Sequence, residues 1–397
     1  MRRLLAFLVL FGLGLAQVEV SFWHSMDGPA GRLIKAFAEE FNREQSDYRV
    51  TPRYVGDYRE AETRLIAALR TKTQPVLYQA EIAFFPRLVA EGQVEALEPY
   101  LNLSKAEIED FYPAVWAYGV MQGRRFGLPF NTSTPVLFFN ASAFKAKGLK
   151  APRNWAEFEA AAQKLSDRRR KGYIAVLESW TFESMVTSRG GSLVTPDGKP
   201  NFNSKEAVAA LAMLHRMAKK RTLIPRRLAE AQFALLDFVR TKGMMVFASI
   251  ANWPAAENYS FAFDLGVAPV PREKGGKVPM GGAQLVVLKG HDPAQVKGAI
   301  AFWKYLMRPE NIARWVEASY YVPVKRSAVK YLKKFYAENP YRKAAFEQLA
   351  YAVPRPRVPE FVVWRVYLEE ALEKSVKGGM DPKRALDEAQ RKALEAR

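Results

Sequence analysis

Cysteine is absent from the 397 residues, and only three histidines occur. The first absence excludes disulfides, thiolate metal sites and attachment of a thioether-linked lipid. The second leaves His24, His215 and His291 isolated in sequence, with no H-E-x-x-H pair. A metal centre or a histidine-based nucleophile is therefore not expected, and His215 and His291 read as surface residues. A G-x-S-x-G elbow and a glycine-rich phosphate loop are missing too. Long apolar runs are lacking after the N-terminus, so no later segment is expected to span a bilayer. Runs of five or more like charges are also absent, although Lys and Arg outnumber Asp and Glu by 60 to 41.

What is present begins with residues 1–16. Arg2 and Arg3 precede the apolar stretch Leu4 to Leu15, and Gly14-Leu15-Ala16 offers small residues for cleavage. That pattern is a secretory signal peptide, too short to be a membrane span. The remaining chain is too long for one compact core and long enough for two. Apolar residues at 49% and aromatics at 13% fit a well-buried globular protein. The net charge of +19 suggests an anionic partner. Export argues against nucleic acid, and a merely solvated basic surface remains the simpler account of most of this charge. Missing Cys with abundant Arg, Glu and Pro also fits a thermophile.

Alternation in Val18 to Phe22 predicts a strand, with a turn at Gly28-Pro29 and Gly31. Leu33, Ile34, Phe37 and Phe41 then share one helical face up to Asn42. A strand at Tyr48 to Tyr54, a helix at Tyr58 to Leu69 and a strand ending near Glu81 continue a β-α alternation. That order implies an α/β fold with mostly parallel sheets flanked by helices. Pro135 to Phe139, Met244 to Ala248, Asp264 to Val270 and Gln284 to Leu288 read as further strands. Asn154 with Glu157, and Asn203 with Glu206, read as helix caps, as does Asp381 before Pro382. A second unit starts near Asn131, joined to the first by short crossings at Asn131 to Thr134 and Leu265 to Pro271, as a hinge would be.

Polar and aromatic residues gather where strands should end, which is where open α/β sheets bind ligands. Phe22-Trp23-His24-Ser25-Met26-Asp27-Gly28, Pro129-Phe130-Asn131-Thr132-Ser133-Thr134-Pro135-Val136-Leu137 and Met280-Gly281-Gly282-Ala283 resemble segments of extracellular solute-binding proteins of the maltose-binding type. The first two, with Tyr321 before Pro323, resemble more narrowly the glycerol-3-phosphate and glycerophosphodiester branch. The resemblance runs from about Val18 through the last helix. It implies two lobes with a ligand cleft between them, the periplasmic-binding-protein fold. Residues 17–131 and 267–315 would form the first lobe, residues 132–266 and 316–397 the second.

By the same resemblance Tyr58, Glu81, Ser133, Trp180, Ser249, Gly282, Tyr321 and Arg365 would line the cleft. The family's second aromatic, three residues before Trp180, is here Leu177. Arg365 would supply a planar fork of charge to a phosphate, with the hydroxyls and the Gly282 N–H as further donors. Glu81 would repel phosphate, so it is expected at the far end, accepting from glycerol hydroxyls beside Trp180. Taken singly, a Tyr beside a turn is ordinarily packing, a Gly pair a turn, and an Arg in an aromatic run a partner for a local acid such as Glu360 or Glu369. The resemblance implies no enzyme activity, no cofactor and no metal. It implies a monomer that hands a phosphorylated glycerol compound to the membrane permease subunits of an ABC importer. An oligosaccharide binder on the same fold is the alternative, and an extracytoplasmic hydrolase would need acid–base groups not seen here.

Overall fold

The computed structural model describes residues 17–396; the expected signal peptide lies outside them. Among the described residues no helix is long and apolar enough to cross a membrane. Ten main strands form two sheets of five. They are β1 (Val18–His24), β2 (Tyr48–Tyr54), β3 (Leu77–Glu81), β4 (Leu128–Ser133) and β5 (Pro135–Asn140). The rest are β6 (Tyr173–Leu177), β7 (Leu223–Arg227), β8 (Met245–Ser249), β9 (Leu265–Pro269) and β10 (Gly281–Val287). The first sheet runs β2-β1-β3-β10-β4 and the second β9-β5-β8-β6-β7. In each, one strand opposes its neighbours: β10 is antiparallel to β3 and β4, and β5 to β8 and β9. The sheets are thus mostly parallel, as β-α alternation requires.

Strand patterning follows from which faces are covered. In β1, Val20, Phe22 and His24 are buried, so one face meets the core. In β5 all six residues are buried. Leu137 and Phe139 enter one apolar cluster while Val136 and Phe138 enter another, which is why this strand reads as an unbroken apolar run. Helix α1 (Gly28–Glu44) buries Ile34, Phe37, Ala38 and Phe41 against the first sheet. The expected turn at Gly28 to Gly31 is its first turn, because Pro29 fits where no N–H is needed.

Helix α2 (Tyr58–Thr71) opens on a reciprocal capping box between Asp57 and Glu60. Helix α3 (Trp155–Leu165) is capped by Asn154, as expected. The next expected cap is displaced by one residue. Ser204 caps helix α5 (Lys205–Lys219), while the Asn203 amide is drawn off to Asp387, 2.9 Å away. Helix α4 (Ser179–Thr187) precedes it. Helices α6 (Pro293–Leu306) and α7 (Pro309–Ser319) cover the first sheet. Helices α8 (Phe361–Val376) and α9 (Pro382–Glu395) pack on each other and on α5, and Asp381 caps α9.

One residue separates β4 from β5. Thr134 is buried there; its hydroxyl donates to the Ala345 carbonyl at 3.0 Å and accepts from Gln348 at 2.9 Å. The second passage lies later than expected. Residues 265–269 form β9, held to β5 by antiparallel pairing, so the chain leaves the second sheet only over 270–280. The return also comes later than residue 316, since Tyr321, Val324, Leu332 and Phe335 pack with the first core and Ala344 with the second sheet.

Candidate functional site

Between the two sheets lies a cavity of about 370 Å³. Tyr58, Glu81, Ser133, Trp180, Ser249, Gly282, Tyr321 and Arg365, all named from the sequence, line it together. A hollow of about 630 Å³ lies elsewhere, along α1 and β2, and takes no residue from the second sheet. It holds none of the eight residues named from the sequence, so the inter-sheet cavity is the candidate site.

The first wall is built on strand ends. Glu81 is the last residue of β3, and Ser133 the last of β4. Tyr58 starts α2, and Glu62 stands one turn further on the same face. The Tyr58 hydroxyl is fixed from below by a relay. Ser25 N–H donates to Gln79 at 2.8 Å, Gln79 to Asn131 at 2.7 Å, and Asn131 to the Tyr58 oxygen at 2.9 Å. Tyr321 stacks against Trp315. Gly282 has φ +98, and a Cβ there would lie 1.9 Å from the Asn131 carbonyl oxygen, so only glycine fits.

The second wall comes from the other sheet. Glu178 caps α4 by accepting from the Trp180 N–H at 2.7 Å, which presents the indole across the cleft. The ring lies so close to Gly281 that a Cβ there would sit 2.4 Å from the Trp180 Cζ2. Ser249 ends β8, where its hydroxyl oxygen accepts from Ala251 N–H at 3.2 Å. Arg365 is buried in the first turns of α8 beside Phe361, Trp364 and Leu368.

Two arginines bind the walls together. Arg365 reaches Glu62 at 3.0 Å and Glu81 at 3.3 Å. Arg355 reaches Glu81 at 3.2 Å and Glu183 at 2.9 Å. All five side chains are buried. The expectation that Glu81 stands at the opposite end from Arg365 is therefore wrong: they are in contact. Opposite charges this deep must pair, since an isolated buried charge costs several kcal/mol. Nor does Arg365 pair with Glu360 or Glu369; Glu369 meets Arg59 at 3.5 Å.

Burial and pairing pull these carboxyls apart. Burial works against the charge on Glu81, but Arg365 and Arg355 outweigh it and hold the carboxyl below its usual range. Burial raises Glu62 against the pull of Arg365. It pushes Glu183 up to about 7 against the pull of Arg355. Burial also pushes the Tyr58 phenol well up, so its oxygen carries a proton to donate. The cavity walls hold Asp57, Glu62, Glu81 and Glu178 against Arg59, Arg355 and Arg365. Among the described residues, Arg355 Nη2, Arg365 Nε and Trp180 Nε1 are buried donors without a protein acceptor.

The sequence reading missed Arg355 and Glu62. Glu62 carried a signal, an acid among the buried positions Ala61, Leu65 and Ala68 of α2. Arg355 carried none, lying between prolines outside any helix or strand. His24 is the hydrogen-bonder expected at its strand end: Nδ1 accepts from Met26 N–H at 3.3 Å, and burial lowers its pKa to about 4. His215 is not on the surface; it is buried between α5 and α8, 3.1 Å from the Ser375 carbonyl. His291 is partly buried, 3.0 Å from the Pro75 carbonyl.

A family model described as bacterial extracellular solute-binding protein matches residues 36–344. The sn-glycerol-3-phosphate-binding periplasmic protein UgpB of Escherichia coli is 29% identical over 412 aligned positions, covering 96% of this chain and 93% of that one. Among solved structures, UgpB from Mycobacterium tuberculosis in complex with glycerophosphocholine superposes with a TM-score of 0.86 at 21% identity, covering 95% and 98%. The GacH receptor of Streptomyces glaucescens, solved unliganded and with acarbose, gives 0.85 at 21% identity, covering 96% and 98%. These two likenesses establish the fold.

Proposed function

We propose that this chain, which belongs to the bacterial extracellular solute-binding protein family, captures a phosphorylated glycerol compound and delivers it to the permease of an ABC importer. The observation that carries the reading is the buried pair Arg355 and Arg365 in the cavity lining, each with one guanidinium nitrogen that no protein group accepts from. Buried guanidinium donors recognise phosphate oxygens with directed, charge-assisted bonds. Ser133, Ser249, Tyr58 and Tyr321 add hydroxyl donors, and Trp180 covers an apolar face. The similarity to UgpB of Escherichia coli supports the same ligand class.

The charge balance favours a diester over a monoester. Four wall carboxylates face three guanidiniums, so a dianion adds repulsion that a monoanionic diester halves. A glycerophosphodiester with a cationic headgroup, such as glycerophosphocholine, suits the surplus carboxylate best; Leu177 is buried in the second core and does not line the cavity. Export to the periplasm, a monomeric state and the absence of catalysis are part of the same reading.

Calorimetric titration with glycerophosphocholine, glycerol-3-phosphate and maltose tests it. Glycerophosphocholine should bind at least tenfold more tightly than glycerol-3-phosphate, with maltose weakest. Tightest binding to maltose would replace the phosphate reading with an oligosaccharide importer.

A further inference from the structure

The cleft lies at the carboxyl ends of β6, β7 and β8, where Glu178, Leu228 and Ser249 stand. The amino ends of the same three strands form the opposite pole, about 15 Å away for strands of five residues. Three loops meet there. Lys171 N–H donates to the Lys242 carbonyl at 2.8 Å, Met244 N–H to the Lys171 carbonyl at 2.9 Å, and Tyr173 N–H to the Thr222 carbonyl at 3.1 Å. Each loop is basic: Arg-Arg-Arg-Lys over 168–171, Lys-Lys-Arg over 219–221, and Arg240 with Lys242. Segments scattered over seventy-odd positions thus present one exposed cationic face.

The local acids do not neutralise it. Asp167 is bonded to Arg170 at 2.8 Å and accepts the Arg169 and Arg170 N–H groups, and Asp237, buried against Arg226, also meets Lys242 at 3.6 Å. Arg168, Arg169, Lys219, Lys220, Arg221 and Arg240 make no ion pair among the described residues. Residues 325–343 are also rich in Lys and Arg; there Lys325 meets Asp110, and Lys334 and Arg342 meet Glu338, while Arg326, Lys330, Lys333 and Lys343 make no ion pair among the described residues. Arg221 is also held at φ 55, a conformation that disfavours a long side chain, yet it carries a cation.

We propose that this pole docks on the anionic lipid surface of the membrane and keeps the protein beside its permease. Unpaired cations spread over three loops suit a diffuse anionic plane better than a discrete ligand. No cysteine is available for a thioether-linked lipid. The membrane side of the argument rests on the importer reading, and the test keeps the two separable.

Co-sedimentation at about 50 mM salt compares vesicles containing phosphatidylglycerol with vesicles of phosphatidylcholine alone. The parent should bind only the former. Each surface-facing cation contributes roughly fivefold to such binding. The quadruple variant Arg168→Gln, Arg169→Gln, Lys220→Gln, Arg221→Gln should bind more than tenfold more weakly. A control with the same charge change, Lys330→Gln, Lys333→Gln, Lys334→Gln, Lys343→Gln, should lose less than threefold. Both should titrate glycerophosphocholine like the parent, whatever the vesicles show. Equal losses in the two variants would reduce the effect to net charge and overturn the proposal. So would a parent that ignores anionic vesicles, or one that ignores them while binding a soluble acidic polysaccharide through the same residues.

Discussion

The two ends of the second sheet hold arginine in opposite circumstances. At the cleft, Arg355 and Arg365 are buried, and each is shared between two carboxylates. At the far pole Arg168, Arg169 and Arg221 are exposed, without ion pairs among the described residues. Desolvation explains the difference: a cation removed from water needs a partner, while a solvated one does not. Charge content is therefore a poor guide to ligand chemistry. The pole contributes most of the local charge, yet the paired and buried arginines hold the geometry that can select one small molecule.

The largest expected effect comes from breaking the cleft side of that comparison. Arg365→Ala leaves Glu62 and half of Glu81 buried without a counter-charge, which should destabilise the fold by about 3–5 kcal/mol. Loss of the fork should also weaken glycerophosphocholine by at least thirtyfold, on the order of 2 kcal/mol. Arg365→Lys should restore part of the stability and less of the affinity, since an ammonium cannot serve two carboxylates in one plane. Thermal melting and calorimetry read the two losses separately. Arg221→Ala should move neither. An Arg365→Ala protein that melts and binds like the parent would erase the distinction between the two ends.

A smaller effect is expected at Glu81. Glu81→Gln keeps the shape but removes the charge shared by Arg355 and Arg365, leaving both guanidiniums under-compensated. A loss of about 2–3 kcal/mol in stability is expected, with binding weakened about tenfold or more. Its two ion pairs tie Glu81 to the packing of both lobes as well as to the cavity lining. Gly281→Ala comes next. Its Cβ would press on Trp180 across the cleft, so closure should be hindered by about 1–3 kcal/mol while each core stays intact. Small-angle scattering should show the variant shrinking less than the parent at saturating glycerophosphocholine. Identical compaction would mean that Trp180 simply moves aside.

How far the sequence could go depended on the range of the interaction. Strand β2 and the Asp381 cap were legible because alternation and Asp-Pro are local signals. Asn203 was misplaced as a cap because Asp387, on α9, competes for its amide. The eight cleft residues were reached through resemblance, and the structure gathers them in one cavity, but their pairing was not legible. Arg365 meets Glu62 across 303 positions, and no periodicity carries that. The basic pole was hidden for the same reason. Its three loops are short and ordinary in sequence, and only the parallel register of β6, β7 and β8 brings them together.

The smallest expected effect separates the carboxyls within the cleft cluster. Glu183 has its pKa raised by burial to about 7, from 4.5. Between those values the folded protein holds a proton that the unfolded chain has released. Stability therefore falls as pH rises through that window and levels off above about 7. Between pH 6 and pH 8 this one group should lower stability by about 1 kcal/mol. Glu183→Gln fixes the neutral form, so the variant should lack that share of the decline and lie closest to the parent at low pH. The parent-minus-variant difference in melting temperature, measured at pH 6 and pH 8, isolates Glu183 from every other titrating group. Glu81→Gln should behave in the opposite way, worst near neutrality, because Glu81 is held ionised by two arginines while Glu183 has one. If Glu183→Gln follows the parent at both pH values, Arg355 holds Glu183 ionised throughout, and the two carboxyls it bridges are equivalent.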